Sequence, residues 1–203
     1  MKITLFFLFG LLSAYTAAFA DGYEVGDKAA DFRLRNIDGS WVSFSDFPEA
    51  KGFIIIFTCN GCPYAVAYQE RIIEIDKTYK PKGYPVIAIN SNDTDLRPDD
   101  TLEEMKKRSQ QKGFTFPYLK DDKDGMYLKY GATRTPHVFL LQKEGKDFIV
   151  KYIGAIDNNY QDASKVTDPY LANALDAVIA GKKPEPDFTK AIGCTIKVRE
   201  PGR

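Results

Sequence analysis

The sequence predicts an α/β domain, a mixed central β-sheet flanked by helices and preceded by an N-terminal β-hairpin. Three observations predict it. Two apolar runs, 53–57 and 85–89, have the length and composition of strands buried on both faces. Helix-patterned segments follow each run, over 64–79 and 101–111, as in units with parallel strands. A strand pair, 136–141 and 148–153, flanks the turn Lys143-Glu144-Gly145-Lys146 and precedes a last helix, which makes the sheet mixed.

Residues 31–35 alternate polar and apolar, Asn36-Ile37-Asp38-Gly39 is a turn, and 41–44 form the return strand of the hairpin. The helix after the first buried strand puts Tyr68, Ile72, Ile75 and Tyr79 on one stripe, and Lys80-Pro81-Lys82-Gly83 stops it. Segment 90–100 is polar and turn-rich. Its acidic part, 92–100, is expected to be a solvated loop, because it lacks the ligand spacing and glycine turn of a calcium loop. Thr101 with Glu104 forms a capping box, and Gly113 ends that helix. A short strand over 114–119 and a short helix over 124–130 follow. Asp168-Pro169 opens the last helix, with Leu171, Leu175, Val178 and Ile179 on one face and Gly181 past its end. Tyr68, Tyr79, Tyr84, Tyr118, Tyr127 and Tyr130 fall at core-like spacings and are expected to pack.

The 203 residues suit one domain with a real core. Lys plus Arg (28) equal Asp plus Glu (28), and no basic patch of the kind nucleic acid requires is present, so nucleic acid is excluded as a partner. Lys2, the apolar run 3–12 and Ala18-Phe19-Ala20 have the pattern of a secretory signal peptide over 1–20, cleaved to leave Asp21 first. The alternative is an uncleaved membrane anchor. Residues 3–20 are near the lower length limit for spanning and are diluted by Gly10, Ser13 and Thr16. No later stretch is long and apolar enough to span, so no stable membrane insertion is expected after cleavage. The chain is expected to be periplasmic or secreted, with a domain over 21–181. A C-terminal extension, 182–203, either packs on that domain or is flexible.

Three cysteines are present: Cys59, Cys62 and Cys194. Cys59-Asn60-Gly61-Cys62 sits where a buried strand meets a helix. The helix's first N–H groups are unpaired there and its dipole is positive, which stabilises a thiolate. A second thiol one turn on can close a disulfide onto the first, so the pair has the parts for thiol–disulfide exchange. An inert disulfide at these positions closes a tiny loop and gains little stability. Two thiolates also bind soft metals, but one histidine and no second cysteine pair leave no metal site, and no cofactor motif is read. The odd count leaves Cys194 either as a further exchange partner or as a small buried hydrophobe.

Val25-Gly26-Asp27-Lys28-Ala29-Ala30-Asp31-Phe32 resembles the opening of the peroxiredoxin-like redoxins. These are the alkyl hydroperoxide reductase/thiol-specific antioxidant branch of the thioredoxin superfamily. Segments 57–64, 114–119, 131–137 and 192–197 fit the same group. The resemblance implies a thioredoxin-like fold with Cys59 and Cys62 as the catalytic pair. It also implies that Thr135-Pro136 is a cis-proline loop facing them, where the Thr135 backbone pairs with a substrate segment. Arg134 stands where peroxidases keep an arginine. It is a candidate for stabilising the thiolate or binding an acidic partner, with a solvated surface arginine as the alternative. His137, the only histidine, is a candidate for tuning the thiolate or a satisfied structural residue.

Three departures bear on the reaction. The proline and threonine that activate a peroxidatic thiol are replaced by Gly52 and Ile56, counting back from Cys59. The buried aspartate that thioredoxin keeps below its pair is Phe53. Gly61 stands where relatives tend to have a histidine, so a cation that favours the thiolate is expected to be missing. The expected function is an exported thiol–disulfide oxidoreductase. Cys59 attacks a protein disulfide, Cys62 releases the product, and an upstream thiol reductant restores the pair. The alternatives are a thiol peroxidase acting on a peroxide, with Cys62 or Cys194 resolving a sulfenic acid, and a non-catalytic binding module with a fixed disulfide.

Overall fold

Apolar side chains on both faces put the strand β4 (Gly52–Phe57) in the middle of the sheet. All six of its residues are buried. In the computed structural model, which describes residues 22–122 and 125–199, β4 pairs in parallel with β5 (Val86–Asn90), and β5 with β6 (Tyr118–Lys120). On its other side β4 pairs antiparallel with β8 (His137–Glu144), which pairs antiparallel with β9 (Asp147–Gly154). β1 (Lys28–Ala29) extends the sheet beyond β9. The hairpin β2 (Leu34–Asn36) and β3 (Trp41–Val42) extends it beyond β6. The strand order is therefore β1-β9-β8-β4-β5-β6-β2-β3. The signal-peptide reading of 1–20 and its cleavage before Asp21 lie outside the described residues.

Side chains alternate across β4, so it feeds two cores. Ile54 and Ile56 meet α1 (Pro63–Tyr79), α4 (Tyr170–Ile179) and Met105 of α2 (Leu102–Lys112). Phe53, Ile55 and Phe57 meet Phe32, Phe44 and α3 (Met126–Tyr130) on the opposite face. Each fully buried side chain of this size contributes about 1.5–3 kcal/mol relative to exposure, so the strands at the centre dominate the stability. Among the described residues, no helix is long and apolar enough to cross a membrane.

Several expectations change in detail. The α1 stripe buries Tyr68, Ile72, Ile73, Asp76 and Tyr79, while Ile75 is only half-buried. Asp76 is inside because its carboxylate accepts from the Val86 N–H and the Thr115 hydroxyl, tying α1 to the next strand. Ile179 is exposed at the end of α4, and Ala174 takes its place on the buried face. The strand expected over 114–119 shortens to β6, because Phe114 and Phe116 pack as stacked rings instead of joining the ladder. The Thr101 cap is present: its hydroxyl accepts from the Glu104 N–H, and Gly113 closes α2 in the left-handed region (φ 66°).

Candidate active site

The Thr58 N–H still donates to the Ile89 carbonyl (2.8 Å), continuing the ladder one residue past β4. The chain then leaves the sheet through Cys59, Asn60 and Gly61 and enters α1 at Pro63, with Cys62 as the N-cap. Proline fits that first helical position, where an N–H would be unpaired. Cys59 and Cys62 are 3 % and 2 % exposed. They share a small cluster with Ala65, Tyr64 and Cys194, and all three cysteines are free thiols.

Thr135 touches both members of the pair. Its Oγ1 lies 3.3 Å from Cys59 Sγ, and the Cys62 thiol donates to its carbonyl oxygen at 3.1 Å. Thr135 belongs to the two-residue strand β7 (Arg134–Thr135), and the Thr135–Pro136 peptide is cis. A last strand, β10 (Cys194–Thr195), pairs antiparallel with β7, setting Cys194 opposite Thr135. The Cys194 N–H points at Cys62 Sγ (3.4 Å). Arg134 donates to the Gly193 carbonyl (3.1 Å), so it anchors this C-terminal segment. Neither strand was visible as a pattern in the sequence; two residues are too few for periodicity.

The pair titrates as a unit. The Cys59 thiol is raised, first by its hydrogen bond to Cys62 and then by burial. Cys62 is drawn down, first by the Cys59 thiol, then by the Cys194 thiol and the N–H groups of Ala65 and Cys194, against the opposing effect of burial. Cys194 is raised by burial and by its hydrogen bond to Cys62. The N–H groups of Ala65 and Cys194 thus point at Cys62 at the helix start, while its own thiol donates to the Thr135 carbonyl, a contact that only the protonated form makes.

The segment expected to be a solvated loop is solvated only in its middle, where Asp95, Leu96 and Pro98 are exposed. Its ends, Asn92 and Asp100, are buried with Asn90 and Ser91 and are built into the site. Asp100 accepts from the Asn60 N–H (2.8 Å), Asn90 Nδ2 (2.8 Å) and Asn92 Nδ2 (2.7 Å). Asn60 Nδ2 donates to the Asp99 carbonyl, and the Tyr118 hydroxyl donates to Asn60 Oδ1. The same segment places an ion pair beside Gly61. Arg97 forms a two-pronged ion pair with Asp99 beside Gly61, and a Cβ on Gly61 would overlap Asp99 Oδ2 and the Arg97 guanidinium. Gly61 thus admits a charge from elsewhere in the chain. The Cys59 sulfur and this guanidinium are near enough to interact electrostatically.

His137 does not join the sulfurs. It pairs across from Phe57, lies against the Phe139 ring, and accepts from the Thr133 N–H through Nδ1. Alternation along β8 turns it to the face away from α1, and burial lowers it to about 4, so it is neutral. It lines a separate cavity of about 680 Å³ with Tyr23, Arg134 and Lys190. Phe53, in the position of thioredoxin's buried aspartate, is fully buried among apolar rings.

The model of the AhpC/TSA family matches residues 25–152. The chain belongs to the AhpC/TSA family. The match contains Cys59, Cys62 and residues 134–137, and ends before β10. The thiol-disulfide oxidoreductase ResA of Bacillus thuringiensis subsp. konkukian is 30% identical over 127 residues, 61% of this chain and 66% of that protein. The chain thus spans just under two thirds of that relative's length. An uncharacterized conserved protein from Geobacillus kaustophilus has the same fold over most of the chain: TM-score 0.80, 32% identity, 89% of this chain and 94% of that one. The thioredoxin domain of a thiol-disulfide oxidoreductase from Bacteroides vulgatus matches with TM-score 0.52 and 20% identity, over 66% of this chain and 91% of that one. The AhpC/TSA chain described here therefore has a thioredoxin-like fold.

Proposed function

We propose that this AhpC/TSA chain is an exported thiol–disulfide oxidoreductase that works on protein disulfides through Cys59 and Cys62. The observation that carries the reading is the meeting of two free, buried thiols with the backbone of Thr135 at the start of α1. Likeness to ResA, named a thiol-disulfide oxidoreductase, supports the same class. Cys59 and Cys62 both meet Thr135, where an extended substrate would pair. We assign the attack on the client disulfide to Cys59 and the resolving step to Cys62, the order expected from the sequence. Cys59 Sγ attacks one client sulfur, the second client sulfur leaves, and Cys62 attacks Cys59 to free the first. The client gains two electrons, and the Cys59–Cys62 disulfide returns to the dithiol by exchange with an upstream thiol reductant. Export rests on residues 1–20, and N-terminal sequencing of the mature protein is expected to begin at Asp21.

The test is turnover of a model protein disulfide and, separately, of hydrogen peroxide, by wild type, Cys59→Ser and Cys62→Ser. Disulfide reduction is expected, with both variants inactive and a mixed disulfide accumulating on Cys59 in Cys62→Ser. Rapid peroxide consumption lost in either variant, with no disulfide turnover, would make the protein a peroxidase. An adduct trapped on Cys62 in Cys59→Ser would reverse the two roles. Absence of both reactions would leave a binding module.

A further inference from the structure

We propose that Cys194 is a third redox thiol and that β10 is a tethered occupant of the docking edge, so that the chain exchanges its disulfide between Cys59–Cys62 and Cys62–Cys194. This rests on the thiol–disulfide reading above. β10 pairs with β7 on the backbone edge that an extended client would use, and it brings a cysteine beside Cys62. The seating is specific. Gly193 packs so closely on the loop that a Cβ there would overlap the Thr135 carbonyl. The Arg134 guanidinium holds the Gly193 carbonyl, and the Ile196 N–H donates to the Thr133 carbonyl. Beyond β10, the Lys197 N–H donates to Asn92 Oδ1 and its carbonyl accepts from the Asp93 N–H, both at 2.7 Å. The strand is therefore tied on both sides of its cysteine. Cys59 and Cys62 are almost fully enclosed beneath it, whereas Cys194 is part-exposed.

The chemistry balances within one chain. With Cys59 and Cys62 oxidised, the Cys194 thiolate attacks Cys62 Sγ. The Cys62–Cys194 bond forms, the Cys59–Cys62 bond breaks, and the electron pair leaves on Cys59 Sγ, which takes up the proton Cys194 released. No net oxidation or reduction occurs. The disulfide now includes Cys194, the part-exposed residue of the three. An external dithiol attacks Cys194 Sγ and expels Cys62, which sits at the positive start of α1. The second sulfur of the dithiol resolves the mixed disulfide and leaves all three cysteines reduced. Lifting β10 frees the Thr135 edge for a client.

The experiment is disulfide mapping of the full mature protein equilibrated in glutathione redox buffers, acid-quenched, alkylated with N-ethylmaleimide and digested with trypsin. Cleavage at Lys51 and Arg71 leaves Cys59 and Cys62 on one peptide, and cleavage at Lys190 and Lys197 leaves Cys194 on another. Wild type is expected to give the internal Cys59–Cys62 disulfide and, as a second population, the two peptides joined. Cys59→Ser should give only the joined peptides, and Cys194→Ser only the internal disulfide. Gly193→Ala should lose the joined species although all three cysteines remain. Cys194 fully alkylated in every buffer, together with no joined species in a folded Cys59→Ser, would overturn the proposal. Reduction of a model protein disulfide is measured in parallel. Joined peptides without that activity support the exchange while removing the client reading. Activity without joined peptides overturns the exchange and leaves the client reading standing.

Discussion

Two segments converge on the Cys59–Cys62 turn, and they are held by different means. On one side, residues 90–100 are bound through a fully buried carboxylate: Asp100 accepts three hydrogen bonds, from Asn60, Asn90 and Asn92. On the other side, β10 is two residues long, pairs with a two-residue partner, and is flanked by the exposed side chains of Ile192 and Val198. A buried carboxylate that holds three donors cannot move without leaving them unpaired in a low-dielectric interior. A two-residue strand separates at smaller cost, because its own backbone groups pass to water, while Asn92 Oδ1 and Cys62 Sγ each lose a single donor. The difference teaches that the polar side fixes the turn's geometry, while the β10 side is the one able to open for chemistry.

The largest test of this comparison is Asp100→Ala. It strands three donors around Asn60 and is expected to cost about 3 kcal/mol or more, read from the urea unfolding midpoint. A cost below about 1 kcal/mol would mean that the polar side does not hold the turn. Next comes Gly61→Ala, whose added methyl meets Asp99 and Arg97. An overpacking cost of about 1–3 kcal/mol is expected by the same measurement, with a faster reaction of Cys59 and Cys62 toward alkylating reagents as the turn shifts. Unchanged stability would show that the Arg97–Asp99 pair moves aside freely.

Arg97→Gln removes a positive charge near the sulfurs, so the thiolate loses support and its titration midpoint rises. The guanidinium is about one-third exposed (32 %) and so partly screened. The expected rise is about one pH unit or less, followed by thiolate ultraviolet absorbance. A fall, or no movement, would remove Arg97 from the electrostatics of the site. The smallest effect is His137→Phe. Burial lowers His137 from 6.5 to about 4, so between those values the unfolded chain binds a proton the folded chain refuses. Wild-type stability should therefore fall as the pH drops through that window, and the variant should show a shallower fall. Its disulfide turnover at neutral pH should match wild type, since the ring lies on the other face of the sheet from α1. A large loss of turnover would contradict that placement.

How much of this was legible in the sequence follows from how far each interaction reaches. β4, α1 and α2 announce themselves through local pattern, and Cys59-Asn60-Gly61-Cys62 through spacing. Asp76 reverses a local expectation: periodicity favoured Ile75, but a carboxylate with two donors from elsewhere in the fold can be buried in its place. The contacts of Asp100 and Arg97 with the turn join polar residues about forty positions apart, and neither hydropathy nor spacing encodes such pairing. Gly61 read as the loss of a cation, because its use as space for another residue's cation exists only in three dimensions. β10 stayed hidden for the same reason: its partner is the equally short β7.

The choice of Arg97 over a histidine at the pair has a consequence for the medium in which the chain operates. An imidazole gains and loses its charge near neutrality, so a redox site supported by one would sense the acidity around it. A guanidinium stays charged at any pH the fold survives, and the one imidazole present is sequestered on the other face of the sheet. The electrostatic support of this site is thus insulated from acid stress. The pH dependence of the site therefore falls to its sulfurs: Cys59 and Cys194, both raised above the ordinary thiol range, should react faster as the pH rises.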